Sequence, residues 1–349
     1  MPPLPQEDLD FICSQTATLW PEVHGSRIFL TGGTGFFGCW LVESFLAANR
    51  KFRLNATITV LTRSSQAFHK KCPHLANDPA LAFVEGDVRN FQFPEGEFPF
   101  VIHAATEANA KLNREQPLEM LSTILDGTRR TLEFAAAHGT RKFLLTSSGA
   151  VYGRQPENLS HISEDYAGAP DPLQTDTAYA NGKRTAELMC ILYAKATPME
   201  LKIARCFAFV GPHLPLDAHF AIGNFIRDAM AGGPIHIGGD GTPMRSYLYA
   251  SDLAIWLWTV LFRAPSGVAF NVGSAEAISI RQLAATVAEA LDPAIEINVA
   301  REAIPGTPLL QYVPAVERAR TQLQLQANIS LHEAIRRTAA WHGYKGRHP

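Results

Sequence analysis

Short apolar runs alternate with amphipathic stretches over the first two thirds of the chain. The runs fall near residues 27–31, 57–61, 81–85, 100–104, 142–146 and 202–206. They are nearly continuous rather than polar at every second position, which is the pattern of strands buried on both faces. Between them, residues 36–49, 112–138 and 179–196 carry a helical period. The alternation predicts an α/β fold built on a doubly wound parallel sheet with helices on both faces. Residues 6–20, with Leu9, Phe11, Ile12 and Leu19, read as a short helix capping the first strand. Residues 153–177 form a polar, Pro- and Asp-containing loop, a candidate flap. After Phe207 the pattern turns irregular and rich in Pro and Gly, as in Gly232-Gly233-Pro234 and Gly238-Gly239-Asp240-Gly241. That predicts a smaller, discontinuous C-terminal lobe, with Phe270-Asn271-Val272-Gly273 as a strand returning to the main sheet. The expected organisation is a cap over 1–25, a main body over 26–206 with a returning segment 247–275, and a substrate lobe made of 207–246 and 276–349.

Composition narrows the class. The chain has 349 residues, 46% hydrophobic and 18% charged, with a formal net charge of -2. That balance suits a globular protein and gives no electrostatic footprint for nucleic acid. The longest apolar run, Leu253 to Phe262, is too short to span a bilayer and reads as a buried helix carrying Trp256 and Trp258. The first residues are acidic and Pro-rich with no cationic leader, so a cytoplasmic location is expected. The cysteines at 13, 39, 72, 190 and 206 show no C-x-x-C spacing or disulfide rhythm, and the histidines lack paired ligand spacing. No metal is expected on these grounds.

The chemistry-bearing residues come in a usable order. Thr31-Gly32-Gly33-Thr34-Gly35-Phe36-Phe37-Gly38 leaves an apolar strand and opens a helix. In such a turn Gly32 permits the tight bend, Gly35 the approach of backbone to a pyrophosphate, and Gly38 the packing of helix on strand. Amide groups at the helix start, around Phe36 and Phe37, then face an anion. Tyr179 and Lys183 stand one helical turn apart and share a face. A tyrosine of ordinary pKa, about 10, is a poor base at neutral pH; a neighbouring ammonium and a cationic nicotinamide would lower it. Ser148, at the end of the Phe143–Ser147 run, can bond the reacting oxygen beside Tyr179, although it would also serve to cap the next turn. The second strand ends Thr62-Arg63-Ser64 with no acid. A carboxylate there would bind ribose hydroxyls of NAD; Arg63, helped by Ser64, would instead pair with a 2′-phosphate, which points to NADP over NAD. Stacking of Arg63 on adenine would serve either cofactor.

On these motifs the chain resembles an extended short-chain dehydrogenase/reductase of the NAD-dependent epimerase/dehydratase group, whose members modify nucleotide-activated sugars. Gly86-Asp87-Val88, Val101–Ala105, Ser147–Gly153, Tyr179-x-x-x-Lys183, Arg205-x-Phe207, Arg245-Ser246-Tyr247 and Asn271–Gly273 extend the resemblance across about residues 25–340. The resemblance implies a Rossmann NAD(P)-binding domain. In it Asp87 and Val88 hold adenine, and Ala104, Ala105 and Thr106 line the cofactor ribose. Lys183 holds the nicotinamide ribose, and Arg245 grips a substrate phosphate. It also implies a homodimer through helices 112–138 and 179–196, with Leu121, Ile124, Leu125, Leu188 and Leu192 as apolar contacts. The implied activity is hydride transfer at C4 of a nucleotide-diphosphate sugar, as an epimerase or a reductase, with Ser148, Tyr179 and Lys183 catalytic. Sugar 4,6-dehydratases of the group usually carry Thr-Asp-Glu where this chain has Ser148-Gly149-Ala150, so dehydration would need acid and base from elsewhere. Glu164 and Asp165 are the nearby carboxylates for that alternative. Ala208 replaces a frequent asparagine, and 305–311 lacks an arginine often found there. A rival of another class is a non-catalytic nucleotide-binding protein on a retained Rossmann scaffold.

Overall fold

The computed structural model describes residues 1–106, 110–218 and 220–346. Its centre is a seven-stranded sheet, all parallel. Strands β1 (Arg27–Thr31), β2 (Thr57–Thr62), β3 (Leu81–Glu85), β4 (Phe100–His103), β5 (Lys142–Ser148) and β6 (Glu200–Cys206) are joined by the strand Ala269–Val272. From one edge the order is Ala269–Val272, β6, β5, β4, β1, β2, β3. The chain winds outward from β1 in one direction to β3 and in the other from β4. The crevice between β1 and β4 is therefore the switch point where ligands of such sheets bind. Burial on both faces explains the continuous apolar runs. Ile28 and Leu30 of β1 face one core, with Trp20, Trp40, Phe45 and Trp258. Phe29 faces the other, with Phe91, Phe98, Phe134 and Phe143.

Helix α1 (Gln6–Gln15) is shorter than the 6–20 reading. The Thr16 hydroxyl bonds back to the Ile12 carbonyl and the chain then turns into a 3-10 segment, Trp20–Val23. Helix α2 (Phe36–Phe52) follows β1, and α3 (Ser65–Lys71) follows β2. The 112–138 stretch is two helices, α4 (Ala110–Glu115) and α5 (Pro117–Ala137). Pro117 sits at the first position of α5, where its missing N–H costs nothing, and it prevents α4 from running on. Helix α6 (Ala178–Ala196) packs beside α5. Further along come α7 (Ala221–Met230), α8 (Ala250–Arg263), α9 (Ile280–Leu291), α10 (Glu317–Leu323) and α11 (Leu331–Trp341). Helix α8 is the buried helix expected from its apolar run, with Trp256 and Trp258 inside. Among the described residues no helix is long and apolar enough to cross a membrane.

Among the described residues three small sheets lie outside the main one, one of them the pairing of Phe209–Val210 with Leu248–Tyr249. In the other two, Met244–Arg245 pairs with Ile278–Ser279 on one side and Gln311–Tyr312 on the other, and Ile235–Ile237 pairs with Ile297–Val299. The first of these sets Tyr312 opposite Arg245. The N-terminal segment is clasped by the C-terminal helix. Asp8, fully buried, accepts from Arg337 at 2.6 Å and from the Tyr249 hydroxyl at 2.7 Å. Trp341 donates to the Pro3 carbonyl at 3.0 Å.

Candidate active site

The strand ends at the switch point are fixed by short polar bonds. The Thr31 hydroxyl meets His103 Nδ1 at 2.8 Å and accepts from the Ala105 amide at 3.1 Å, while His103 Nε2 meets Thr128 at 3.1 Å. Burial, helped by the Lys183 charge, pushes the His103 imidazole down to about 3. It stays neutral and acts as a spacer between strands.

Above this lies a cavity of about 450 Å³, within the roughly 300–1,000 Å³ of small-molecule and cofactor sites. Gly32, Gly35, Arg63, Asp87, Val88, Ala104, Ala105 and Thr106, all expected at a cofactor, line it. Gly32 has φ +73°, and a Cβ there would lie 2.5 Å from the Ala104 carbonyl oxygen. A Cβ at Gly38 would be driven into the backbone of Gly32 and Gly33, so Gly38 sits under the turn rather than in the cavity. Phe36 and Phe37 are not among the lining residues; Phe37 packs edge-on against Phe209 at 5.1 Å.

Sequence reading missed the cation beside Asp87. Arg89 grips both Asp87 oxygens at 2.8 Å and reaches Glu119 at 2.7 Å. Those hydrogen bonds hold the Asp87 carboxyl below its ordinary range. The signal was local, since Arg89 follows Asp87-Val88 directly. Ser64 caps α3 by accepting from the Ala67 amide at 3.1 Å. Gly-lined backbone, aliphatic Leu61 and Val88, and two arginines suit the adenosine end of a dinucleotide.

The three expected catalytic residues come together past the end of β5. Ser148 is the last residue of that strand. Its oxygen accepts from the Ala150 amide at 3.1 Å, so it does cap the next turn, and it also bonds the Tyr179 hydroxyl. Lys183 lies one turn along α6, its Nζ 6.0 Å from the centre of the Tyr179 ring and donating to the Thr146 carbonyl at 2.8 Å. Lys183 does not lower Tyr179 in this arrangement of the chain's own groups. Burial around the hydroxyl pushes Tyr179 up to about 12, against the Ser148 hydrogen bond. Burial pushes Lys183 down to about 8.

A second tyrosine, which sequence reading did not single out, shares this serine. Tyr312 lies beside Ser148 and donates to the Cys206 carbonyl at 3.5 Å; its ring is tilted against Phe207 at 4.7 Å between centroids, and burial raises it above its usual range. Only the pairing of Gln311–Tyr312 with Met244–Arg245 brings it there, and that pairing has no local signature. The same pairing places Arg245 near Tyr312. The candidate carboxylates of the flap are engaged elsewhere. Glu164 accepts from the Asn271 amide at 2.9 Å, and Asp165 is exposed and pairs with Arg318 at 2.5 Å. Glu187 is locked by Ser147 at 2.5 Å and by Arg205 at 2.7 Å.

The sequence model of the NAD dependent epimerase/dehydratase family matches residues 28–273. UDP-glucuronic acid decarboxylase 6 of Arabidopsis thaliana is 30% identical over 88% of this chain and 86% of its own. UDP-N-acetylglucosamine 4-epimerase from Methanobrevibacter ruminantium, solved with UDP-N-acetylmuramic acid, superposes with a TM-score of 0.78 at 19% identity, covering 91% of this chain and 98% of that one. A dTDP-glucose 4,6-dehydratase from Bacillus anthracis, solved with NAD, gives a TM-score of 0.73 at 18% identity over 92% and 97%.

Proposed function

Because the chain belongs to the NAD-dependent epimerase/dehydratase family, we propose that it moves hydride at C4 of a nucleotide-diphosphate sugar, as an epimerase or a 4-ketoreductase. The observation that carries the reading is the Ser148–Tyr179–Lys183 group at the strand ends, with Gly149 and Ala150 beside it. A bound NAD(P) supplies the hydride acceptor or donor. The chain's residues handle the rest. Tyr179, held protonated by burial, is in the acid form that delivers a proton to a C4 oxygen as a ketone is reduced. In the oxidative direction the same phenol must first release its proton, and Lys183 is placed to favour that step once it leaves the Thr146 carbonyl. Ser148, beside both tyrosines, orients the sugar oxygen. Arg245 can hold the diphosphate by a two-pronged contact. Arg63 and Arg89 flank the adenosine cavity, and Arg63 supports NADP as the cofactor.

Elimination of water across C5–C6 lacks its acid and base here: glycine and alanine carry none, and Glu164 and Asp165 are held in structural bonds. A second reading is supported by the decarboxylase relatives. Oxidation at C4 of a UDP-glucuronic acid produces a β-keto acid, which loses CO2 without a carboxylate base. The test is incubation with UDP-glucose, UDP-N-acetylglucosamine, dTDP-glucose and UDP-glucuronic acid, each with NAD or NADP, and chromatography with mass analysis of products. An isomer of unchanged mass or a reduced 4-keto sugar supports the first reading, and loss of CO2 the second. Loss of water refutes the argument from Gly149 and Ala150. Tyr179→Phe should lower turnover by about a hundredfold or more, with cofactor binding retained; unchanged turnover would refute the role given to Tyr179, and no turnover in wild type on any of these sugars would favour a binding protein.

A further inference from the structure

Outside the cofactor cavity the fold gathers a second set of chemistry-bearing side chains. Cys39 comes from the first turns of α2, Cys72 from the residue after α3, and His213 from the loop after the short strand Phe209–Val210. All three are buried, and their ligand-capable atoms lie within 4.8 Å of one another. Spacings of 39, 72 and 213 match no local metal motif, which is why the sequence predicted no metal.

We propose that Cys39, Cys72 and His213 bind a thiophilic divalent ion of the zinc class. Two sulfurs and an imidazole nitrogen are the donor set such an ion selects. Bonds of about 2.0–2.3 Å in a tetrahedron set ligand atoms a little under 4 Å apart, close to the grouping present. His213 has a ring nitrogen left over for the task. Its side chain has no solvent exposure, its Nε2 meets Glu43 at 3.3 Å, and its Nδ1 has no hydrogen-bond partner among the described residues. A carboxylate on one ring nitrogen that leaves the other free is the usual support of a metal-bound histidine. Glu43 is itself fixed, accepting from the Leu4 amide at 2.9 Å and meeting His74 at 3.2 Å. His213 also holds a backbone φ of +70°, a conformation uncommon outside glycine that persists only where the surroundings impose it.

Charge balances. Two thiolates and the Glu43 carboxylate carry three negative charges, and a divalent ion with Lys71 offsets them. Lys71 Nζ lies 3.7 Å from Cys39 Sγ and donates to the Thr34 carbonyl in the glycine turn at 2.7 Å. The ion would tie α2, the end of α3 and the loop at His213 together, one step behind the cofactor turn. Three protein ligands leave the fourth position to water.

The test uses the full chain, reduced, stripped with chelator and titrated with Co2+ and then Zn2+. One equivalent of Co2+ should bind with thiolate charge-transfer absorption, be displaced by Zn2+, and protect Cys39 and Cys72, but not the buried Cys13, from alkylation under mild denaturant. Cys72→Ser and His213→Asn should abolish tight binding; asparagine tolerates the positive φ. Glu43→Gln should weaken it about 10–100-fold. The proposal is overturned if the reduced wild type takes up no metal, if uptake persists unchanged in Cys72→Ser and His213→Asn, or if Cys39 and Cys72 are recovered as a disulfide that binds no metal after reduction. Should a variant fail to fold, the wild-type alkylation pattern with and without Zn2+ decides alone.

Discussion

Lys183 should weaken the nucleotide-free protein. The residue is 4% exposed, and burial brings its pKa from 10.5 down to about 8. At about 1.4 kcal/mol per unit, keeping the ammonium charged inside costs about 3 kcal/mol at neutral pH. Its hydrogen bond to Thr146 returns about 1 kcal/mol. Lys183→Met fills a similar volume without the charge, so the cofactor-free variant should be about 2 kcal/mol more stable at pH 7 while losing turnover. The pH dependence has a definite sign. Between about 8 and 10.5 the unfolded chain binds a proton at this lysine and the folded chain does not, so wild-type stability rises with pH through that window. The gap between variant and wild type should therefore shrink above pH 8 and reverse by about pH 10.5, where only the lost hydrogen bond remains. Urea unfolding of nucleotide-free protein at pH 7 and at pH 10 measures both numbers, and the difference between the two proteins cancels other titrating groups. A variant less stable than wild type at pH 7, or a gap that is the same at both pH values, refutes the reasoning.

Three further outcomes follow from the geometry. Arg63→Ala should weaken NADP about tenfold or more, the scale of a hydrogen-bonded charge, and leave NAD nearly unchanged in calorimetric titration; equal losses would mean that Arg63 stacks on adenine instead. The chain should run as a dimer in light scattering at micromolar concentration, through Leu188 and Leu192 on α6 and Leu118 on α5, which are 58%, 56% and 81% exposed, and Leu188→Glu should yield monomer; a monomeric wild type rejects the interface. Arg337→Met leaves the buried Asp8 carboxylate with only the Tyr249 hydroxyl, and should cost about 3 kcal/mol or more at neutral pH and less in acid, where Asp8 is protonated; a loss under about 1 kcal/mol in denaturant unfolding would show that water reaches Asp8.

The parts of the fold that sequence revealed are those where local pattern and tertiary role coincide. Strands β1 to β6 are buried on both faces, so their apolar runs are unbroken and stand out against the helices. Tyr179 and Lys183 are legible because one helical turn already places them on one face, and Ser148 because it ends a buried strand. The helix break at Pro117 was marked in the sequence but outweighed there by the long period of 112–138. Ile124, expected at a dimer contact, is buried in the core beneath α5. Its place in the helical period is shared by core and interface, and only packing separates them. Tyr312 and the group of Cys39, Cys72 and His213 had no pattern to read. Each depends on segments far apart in the chain meeting in space, and neither spacing nor residue type foretells that. The raised pKa of Tyr179 was hidden for a related reason: spacing gives its neighbour but not the loss of water around it.

The clasp between the two ends of the chain has a bearing on how the protein is made. A ribosome delivers Pro3 and Asp8 more than three hundred residues before Arg337 and Trp341. Until α11 emerges, Arg337 is missing from beside the Asp8 carboxylate, and burying that charge with the Tyr249 hydroxyl as partner is costly, so the docking of α1 beside α2 and α8 is weakened. The main sheet can assemble from its own strands while synthesis proceeds, but α1 is seated by the much later α11. A nascent chain halted before residue 331 should thus expose the apolar face of Leu9, Ile12 and Cys13, which makes the N-terminal segment, rather than any loop of the active site, the part that a chaperone would find during translation.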